Sequence, residues 1–198
     1  FMEVSAPSFI YDLETAQKVK EEVGCIVAFC GPHMNYHHEK TIKNYNFVDI
    51  TIRDEFDIII KNVCRALSDN KPLSSVLGIT YREFGRVIVN EKKPFEENLD
   101  SLPFPDRDDF AMESYVQGFY AGKKTAMMLQ SRGCPARCTF CIWPQTMTGH
   151  SHRRRSPKNI CDEIEYLKNK YGVDEVFFDD DTFIIDKKAG IELLDEMI

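Results

Sequence analysis

No stretch of this 198-residue chain approaches the ~18 consecutive apolar residues of a membrane-spanning helix, so a transmembrane protein is not expected. Basic charge is also scarce: Lys and Arg number 25 against 32 Asp and Glu, a formal net charge of -7. A general nucleic-acid binder carries a basic face, and only the short run Arg153–Arg155 interrupts the acidic balance. A charged-then-apolar leader is missing, as are internal repeats and low-complexity tracts. The chain opens at Phe1 without an initiator and stops at Ile198 inside an amphipathic run from Lys187, so both ends read as cut from a longer protein. What remains is a globular composition, 43% hydrophobic and 29% charged, with enough apolar content for a packed core. Seven cysteines, an odd number without a leader, fit a reducing cytoplasm in which thiols bind metals or stay free.

The hydrophobic pattern alternates between helical and strand-like segments. Residues 13–22 read as a helix, and Cys25 to Phe29 as a short buried strand bounded by Gly24 and Gly31-Pro32. A short helix over 37–45, a strand over 47–52 and a helix over 56–67 follow, the last with Ile59, Val63, Ala66 and Leu67 at helical spacing. This order predicts an open parallel α/β sheet. Around Phe84-Gly85 two alternating runs, 76–81 and 86–89, signal a hairpin. Residues 91–118, centred on Pro103-Phe104-Pro105-Asp106, read as an ordered linker for packing and hinging. A second α/β unit begins with a strand over 125–129. Its helix over 157–171 has Ser156 as N-cap, Pro157 in the first position and Gly172 as the stop. The next strand, 176–178, ends in Asp179-Asp180-Asp181, and a final helix starts at Lys187.

The cysteines divide into two sets. Cys25, Cys30, Cys64 and Cys161 lie in apolar or helical contexts and read as buried small hydrophobes. Cys134, Cys138 and Cys141 are spaced C-x3-C-x2-C in the loop directly after a strand. Three thiolates in a compact loop suit three irons of a [4Fe-4S] cubane and leave the fourth iron open to a substrate. Phe140 would shield one side of the cluster, and Arg132 and Arg137 would offset its charge. Zinc is the alternative, with His150 or His152 as a fourth ligand, although their spacing from Cys141 suits common zinc folds poorly.

With an aromatic residue before the last cysteine and a strand before the loop, this pattern resembles the radical S-adenosylmethionine (SAM) superfamily. The run Cys138-Thr-Phe-Cys-Ile-Trp-Pro-Gln-Thr-Met-Thr-Gly-His150, then Arg153-Arg-Arg-Ser-Pro157 and Phe177-Phe-Asp-Asp-Asp-Thr-Phe183, resembles its cobalamin-binding branch. Within that branch the Trp-Pro-Gln stretch looks closest to hopanoid-associated members. The resemblance implies residues 1–75 as the C-terminal part of a Rossmann-like cobalamin-binding domain and 76–118 as hairpin and linker. It implies 119–198 as the start of a radical SAM partial (β/α) barrel. A cluster bound to SAM would cleave it reductively to methionine and a 5′-deoxyadenosyl radical, which abstracts hydrogen from the substrate.

The resemblance also implies site residues. Asp180 and Asp181, at the C-terminal end of a strand where parallel α/β folds bind ligands, would face the SAM amino group. The other reading of this turn is helix capping before Thr182. Gly31, Pro32 and His33 after one strand, and Arg53 and Glu55 after the next, would meet cobalamin, with Gly31 allowing close backbone approach. Here Cys30, Asp54 and Asp57 replace a Gly, a Gly and a Glu of the branch motifs. No Asp-x-His-x-x-Gly motif is present, so histidine ligation of cobalt is not expected. Arg153–Arg155 either meets an anionic group or forms a solvated loop. The expected activity is methylation, cyclisation or rearrangement at an unactivated carbon of a small-molecule or lipid-like substrate, with flavodoxin or ferredoxin as electron donor. The alternative is a non-catalytic iron–sulfur and corrinoid redox sensor.

Overall fold

The computed structural model describes residues 1–111 and 124–198. It contains two compact units, Phe1–Phe95 with Arg137–Gly149, and Glu96–Ala136 with His150–Ile198. The boundary expected between 118 and 119 lies outside the described residues. Among those described, no helix is long and apolar enough to cross a membrane.

The first unit is built on a five-stranded sheet in sequential order: β1 (Met2–Glu3), β2 (Ala28–Cys30), β3 (Ile50–Ile52), β4 (Ile79–Glu83) and β5 (Arg86–Val89). The first three strands are parallel, in the register Met2↔Phe29 and Ala28↔Ile50. Side chains alternate across the central strands, as a sheet covered on both faces requires. Ala28, Cys30, Ile50 and Ile52 pack with Ile59, Val63 and Ala66 of α3 (Phe56–Ser68). On the other face Val27 and Phe29 meet Leu13 and Ala16 of α1 (Phe9–Val23), and Met34 and Ile42 of α2 (Pro32–Asn44).

The hairpin extends this sheet, β4 pairing antiparallel with β3 at Ile50↔Tyr81 and with β5 at Glu83↔Arg86. The sheet is therefore mixed, with its parallel part where the alternation placed it. Phe84 (φ 47°) and Gly85 (φ 76°) form the two-residue turn with positive φ that matches strand twist.

Several boundaries differ from the sequence reading: α1 starts at Phe9, β3 at Ile50 and β4 at Ile79, and two further differences have a clear local cause. The apolar run 25–29 pairs only from Ala28. Asp49 takes the Val27 N–H at 2.7 Å, and Lys20 takes the Cys25 carbonyl at 2.9 Å, which leaves Ile26 51% exposed. The helix expected at 37 starts at Pro32, because Gly31 (φ 94°) turns the chain at once and Pro suits the first helical position. Strand β1 is too short to leave a periodic signal.

The second unit contains the parallel pair β6 (Thr125–Met128) and β9 (Glu175–Phe178), in the register Thr125↔Glu175 to Met128↔Phe178. Ala126 and Met128 pack against Ile160 and Leu167 of α4 (Pro157–Tyr171) and Leu193 of α5 (Lys187–Met197). Helix α4 begins and ends where its caps predict. Ser156 Oγ accepts the Asn159 N–H at 3.2 Å, and Gly172 takes φ 66°. A two-residue antiparallel ribbon, β7 (Ser131–Arg132) with β8 (Arg153–Arg154), closes the long loop between β6 and α4.

Candidate functional site

In the first unit, the turns after β2 and β3 lie at the carboxyl edge of the parallel strands, the usual ligand edge of such sheets. Gly31 is required there, but by the fold. A Cβ on it would stand 2.9 Å from the Val4 carbonyl and 2.8 Å from Glu3 Cγ. The close approach that Gly31 permits is thus to the chain beside β1. Pro32 is buried, while His33 is half-buried, its ring 4.4 Å from Phe9 and 4.5 Å from His37. Burial, and then the neighbouring His37, hold the His33 pKa below its ordinary value.

Arg53 is 6% exposed and donates from Nη2 to the Asn90 carbonyl, while Nε has no partner among the described residues. Asp54 stands where the branch motif carries glycine, and its φ of 58° shows why glycine suits the position. Its carboxylate meets Lys92 at 3.2 Å. Asp tolerates this conformation better than most residues, and a β-branched residue does not. Asp54→Gly is therefore expected to shift stability by less than about 1 kcal/mol, and Asp54→Val to lower it by roughly 1–3 kcal/mol. Urea midpoints of the two variants check this. Glu55 precedes α3 at its N-cap position and is half-buried.

The segment after the last motif cysteine belongs to the same unit. Cys141 N–H bonds the Cys138 carbonyl at 3.2 Å. Residues Pro144–Thr148 then form a π-helical turn, with Pro144, Thr146 and Met147 buried. Sequence periodicity carries no signal for such a turn. Phe140 is 85% exposed.

In the second unit, Asp179, Asp180 and Asp181 follow β9 directly. Asp180 bridges the ends of the two parallel strands. One carboxylate oxygen accepts the Ser131 N–H at 2.6 Å and the Ser131 hydroxyl at 2.5 Å, and the other accepts the Gln130 N–H at 3.2 Å. Burial raises its pKa above the ordinary carboxylate value, partly offset by these hydrogen bonds. A carboxyl group whose pKa is raised by folding stabilises the protein below its unfolded pKa. That contribution is lost as pH rises through the folded value. Asp180→Asn is expected to remove this dependence, so the stability difference between wild type and variant should shift against the wild type above about pH 4. Denaturation midpoints across pH 3–7 measure it, and a pH-independent difference would refute it. Asp181 and Asp179 are exposed.

Cys134 is half-buried, its Sγ 3.1 Å from Thr182 Oγ1, and its carbonyl meets His150 Nδ1 at 3.0 Å. Burial, then the nearby Arg154, lower the pKa of His152. None of the three motif cysteines is in a disulfide. As a donor set they suit a soft iron–sulfur group. Among the described residues no three His, Cys, Asp or Glu side chains converge as a ready metal site. The other cysteines are mixed. Cys30 is buried and donates to the Met2 carbonyl at 3.4 Å, and burial pushes its thiol up to about 12. Cys64, expected inside, is exposed because it lies off the apolar stripe of α3.

Two arginines of the basic run are spent inside the fold, while Arg154 is exposed. Arg153 is 4% exposed and donates to the Glu96 carbonyl at 2.8 Å. Arg155 meets Glu163 at 2.5 Å and the Leu129 carbonyl at 3.0 Å. Arg107, from the segment read as a linker, reaches Glu163 at 3.5 Å and the Met127 carbonyl at 2.9 Å. Glu163 is 1% exposed. This Arg–Glu–Arg clamp escaped the sequence reading, although a Glu among the buried positions Ile160 and Leu167 of α4 was its signal. A cavity of about 310 Å³ runs beside β6, lined by Phe104, Met127 and Leu129 together with the clamp residues.

No family model matches the chain. The chain is homologous to cobalamin-dependent radical SAM methyltransferases and to an anaerobic cyclase. It is 31% identical over 188 residues to an uncharacterized methyltransferase of Pyrococcus horikoshii, covering 94% of this chain and 40% of that protein. It is 28% identical over 194 residues to the anaerobic magnesium-protoporphyrin IX monomethyl ester cyclase of Cereibacter sphaeroides, covering 96% of this chain and 31% of the cyclase. The fold is that of the cobalamin-dependent SAM radical enzyme OxsB, with a TM-score of 0.75 at 17% identity over 98% of this chain and 28% of that one. A hopanoid C-2 methylase of Rhodopseudomonas palustris matches over 52% of this chain at 34% identity, so that likeness is partial. The chain thus spans well under half the length of these relatives.

Proposed function

We propose that this chain forms the cofactor-holding part of a cobalamin-dependent radical SAM enzyme that methylates, cyclises or rearranges a substrate at an unactivated carbon. The observation that carries this reading is a placement. The C-x3-C-x2-C run leaves the end of β6, and the Asp179–Asp181 turn leaves the end of its parallel partner β9. Residues 1–75 belong to the corrinoid module, 76–118 to the hairpin and linker, and 119–198 to the start of the radical SAM core.

Cys134, Cys138 and Cys141 hold the [4Fe-4S] cluster as thiolates. When bound and reduced, that cluster supplies the electron that breaks the sulfonium carbon–sulfur bond of SAM to give the 5′-deoxyadenosyl radical. Arg132 and Arg137 offset negative charge beside the thiolates, and the exposed ring of Phe140 screens them from water. Asp181 receives the SAM ammonium group. Asp180 keeps the two strand ends in register for it, a positioning duty supported by its three hydrogen bonds. His33 and Glu55, half-buried at the sheet edge, contact the corrinoid, and Gly31, Pro32 and Arg53 shape the turns beneath them. The substrate is a small or lipid-like molecule, the electron donor a flavodoxin or ferredoxin, and the compartment the cytoplasm.

The test uses the whole protein, purified and reconstituted without oxygen. About four irons per chain, corrinoid absorbance, and 5′-deoxyadenosine on reduction with SAM are expected. Cluster-loaded, reduced protein that forms no 5′-deoxyadenosine would favour the redox-sensor reading, and zinc in place of iron would overturn both.

A further inference from the structure

Asn35 stands in the first turn of α2, four positions after Gly31. Both ends of its side-chain amide are used. Oδ1 accepts the backbone N–H of Asp54 at 3.0 Å, and Nδ2 donates to the backbone carbonyl of Thr146. The first partner lies in the turn after β3. The second lies in the π-helical turn that follows Cys138 and Cys141. All three residues belong to the first unit.

Several features make this join a fixed one. Both partners are backbone groups, one a donor and one an acceptor, so only one orientation of the amide satisfies both. Thr146 is 3% exposed, and its N–H and hydroxyl both return to the Ile142 carbonyl, at 3.0 and 2.7 Å. That fixes the direction of its own carbonyl. Gly149 closes the segment at φ 73°, where a Cβ would stand 2.6 Å from the Phe95 ring. The Asp54 N–H is presented by the positive-φ turn at that residue.

We propose that Asn35 is a positioning residue that locks the segment bearing Cys138 and Cys141 to the turns after β2 and β3. This rests on the functional reading above, in which those turns meet the corrinoid and those cysteines meet the cluster. Both polar atoms of the Asn35 side chain are committed to backbone groups, so its role is one of positioning. Asn35 sets the relation of the two cofactors, so its loss leaves each cofactor bound and changes how they interact.

The chemistry selects an informative variant. Asn35→Asp keeps the shape and the acceptor for Asp54, but an ionised carboxylate cannot donate to the Thr146 carbonyl and repels it. Asn35→Ala loses both bonds, and Asn35→Gln retains an amide. The whole protein is loaded with cluster and cobalamin, and dithionite brings them to the reduced cluster and cob(II)alamin. Two measurements follow: hydrogen exchange over 137–149, and the electron paramagnetic resonance broadening between the two spins.

Asn35→Asp and Asn35→Ala are expected to keep wild-type iron and cobalt contents and to exchange about tenfold faster over 137–149, the scale of one lost hydrogen bond. They are also expected to lose the wild-type spin interaction, and Asn35→Gln to recover part of both. Loaded Asp and Ala variants with wild-type exchange and spectra would overturn the role of Asn35 and leave the functional reading standing. A wild-type protein that takes up no corrinoid or no cluster would overturn that reading, and this role with it.

Discussion

Cys138→Ala is expected to abolish 5′-deoxyadenosine formation in the reconstituted whole protein while leaving its fold unchanged. Cys138 is exposed, so its removal opens no core cavity, and surface changes of this kind alter stability by less than about 0.5 kcal/mol. Its sulfur is one of only three in the C-x3-C-x2-C run. Losing a group that merely supports a metal ligand costs 10–100-fold in metal affinity or activity, so losing a ligand should cost more than about a hundredfold. Iron content and 5′-deoxyadenosine should fall together. Cys64→Ala is the control, since Cys64 is also exposed but lies on α3 outside the motif. If Cys138→Ala keeps full iron and activity, the cluster assignment is wrong.

Glu163→Ala is expected to destabilise the second unit strongly. The carboxylate is 1% exposed and its partners Arg107 and Arg155 only 12% and 11%. Removing it strands two guanidinium groups with little water to solvate them. Breaking a buried ion pair in this way costs about 3–5 kcal/mol. The loss also frees the arginines from the Met127 and Leu129 carbonyls that they hold at β6. Chemical denaturation of the variant measures the effect. Pairing Glu163→Met with Arg155→Met should recover part of it, because apolar side chains of similar size can replace a buried pair. A loss below about 1 kcal/mol for Glu163→Ala would mean the clamp is solvated and weak.

Where a signal was local, the sequence was a good guide. Ser156, Pro157 and Gly172 bound α4 at its observed ends, because caps and stops act within a turn of the residues that make them. Phe84-Gly85 located the hairpin for the same reason. Gly31 is legible as a special position, but the backbone it must clear is not. The backbone that crowds it is that of Val4, at the end of a two-residue strand with no periodicity to read. The position of the acidic turn after a strand is legible in the sequence, but that Asp180 ties two strand ends together across 49 residues of chain is not.

By itself, the sequence determined where the candidate donors stand: three thiols at C-x3-C-x2-C in a loop after one strand, and carboxylates directly after a later one. Residue type and short spacing are enough for that, because ligand chemistry and element boundaries are local properties. The tertiary structure alone decided which polar groups are spent inside the fold. Arg107 and Glu163 are 56 residues apart and Asn35 and Thr146 are 111 apart, distances over which no spacing rule relates one residue to another. Only packing brings such pairs together. Burial then decides whether a charged or amide side chain remains available for chemistry or is committed to holding the loops that carry it.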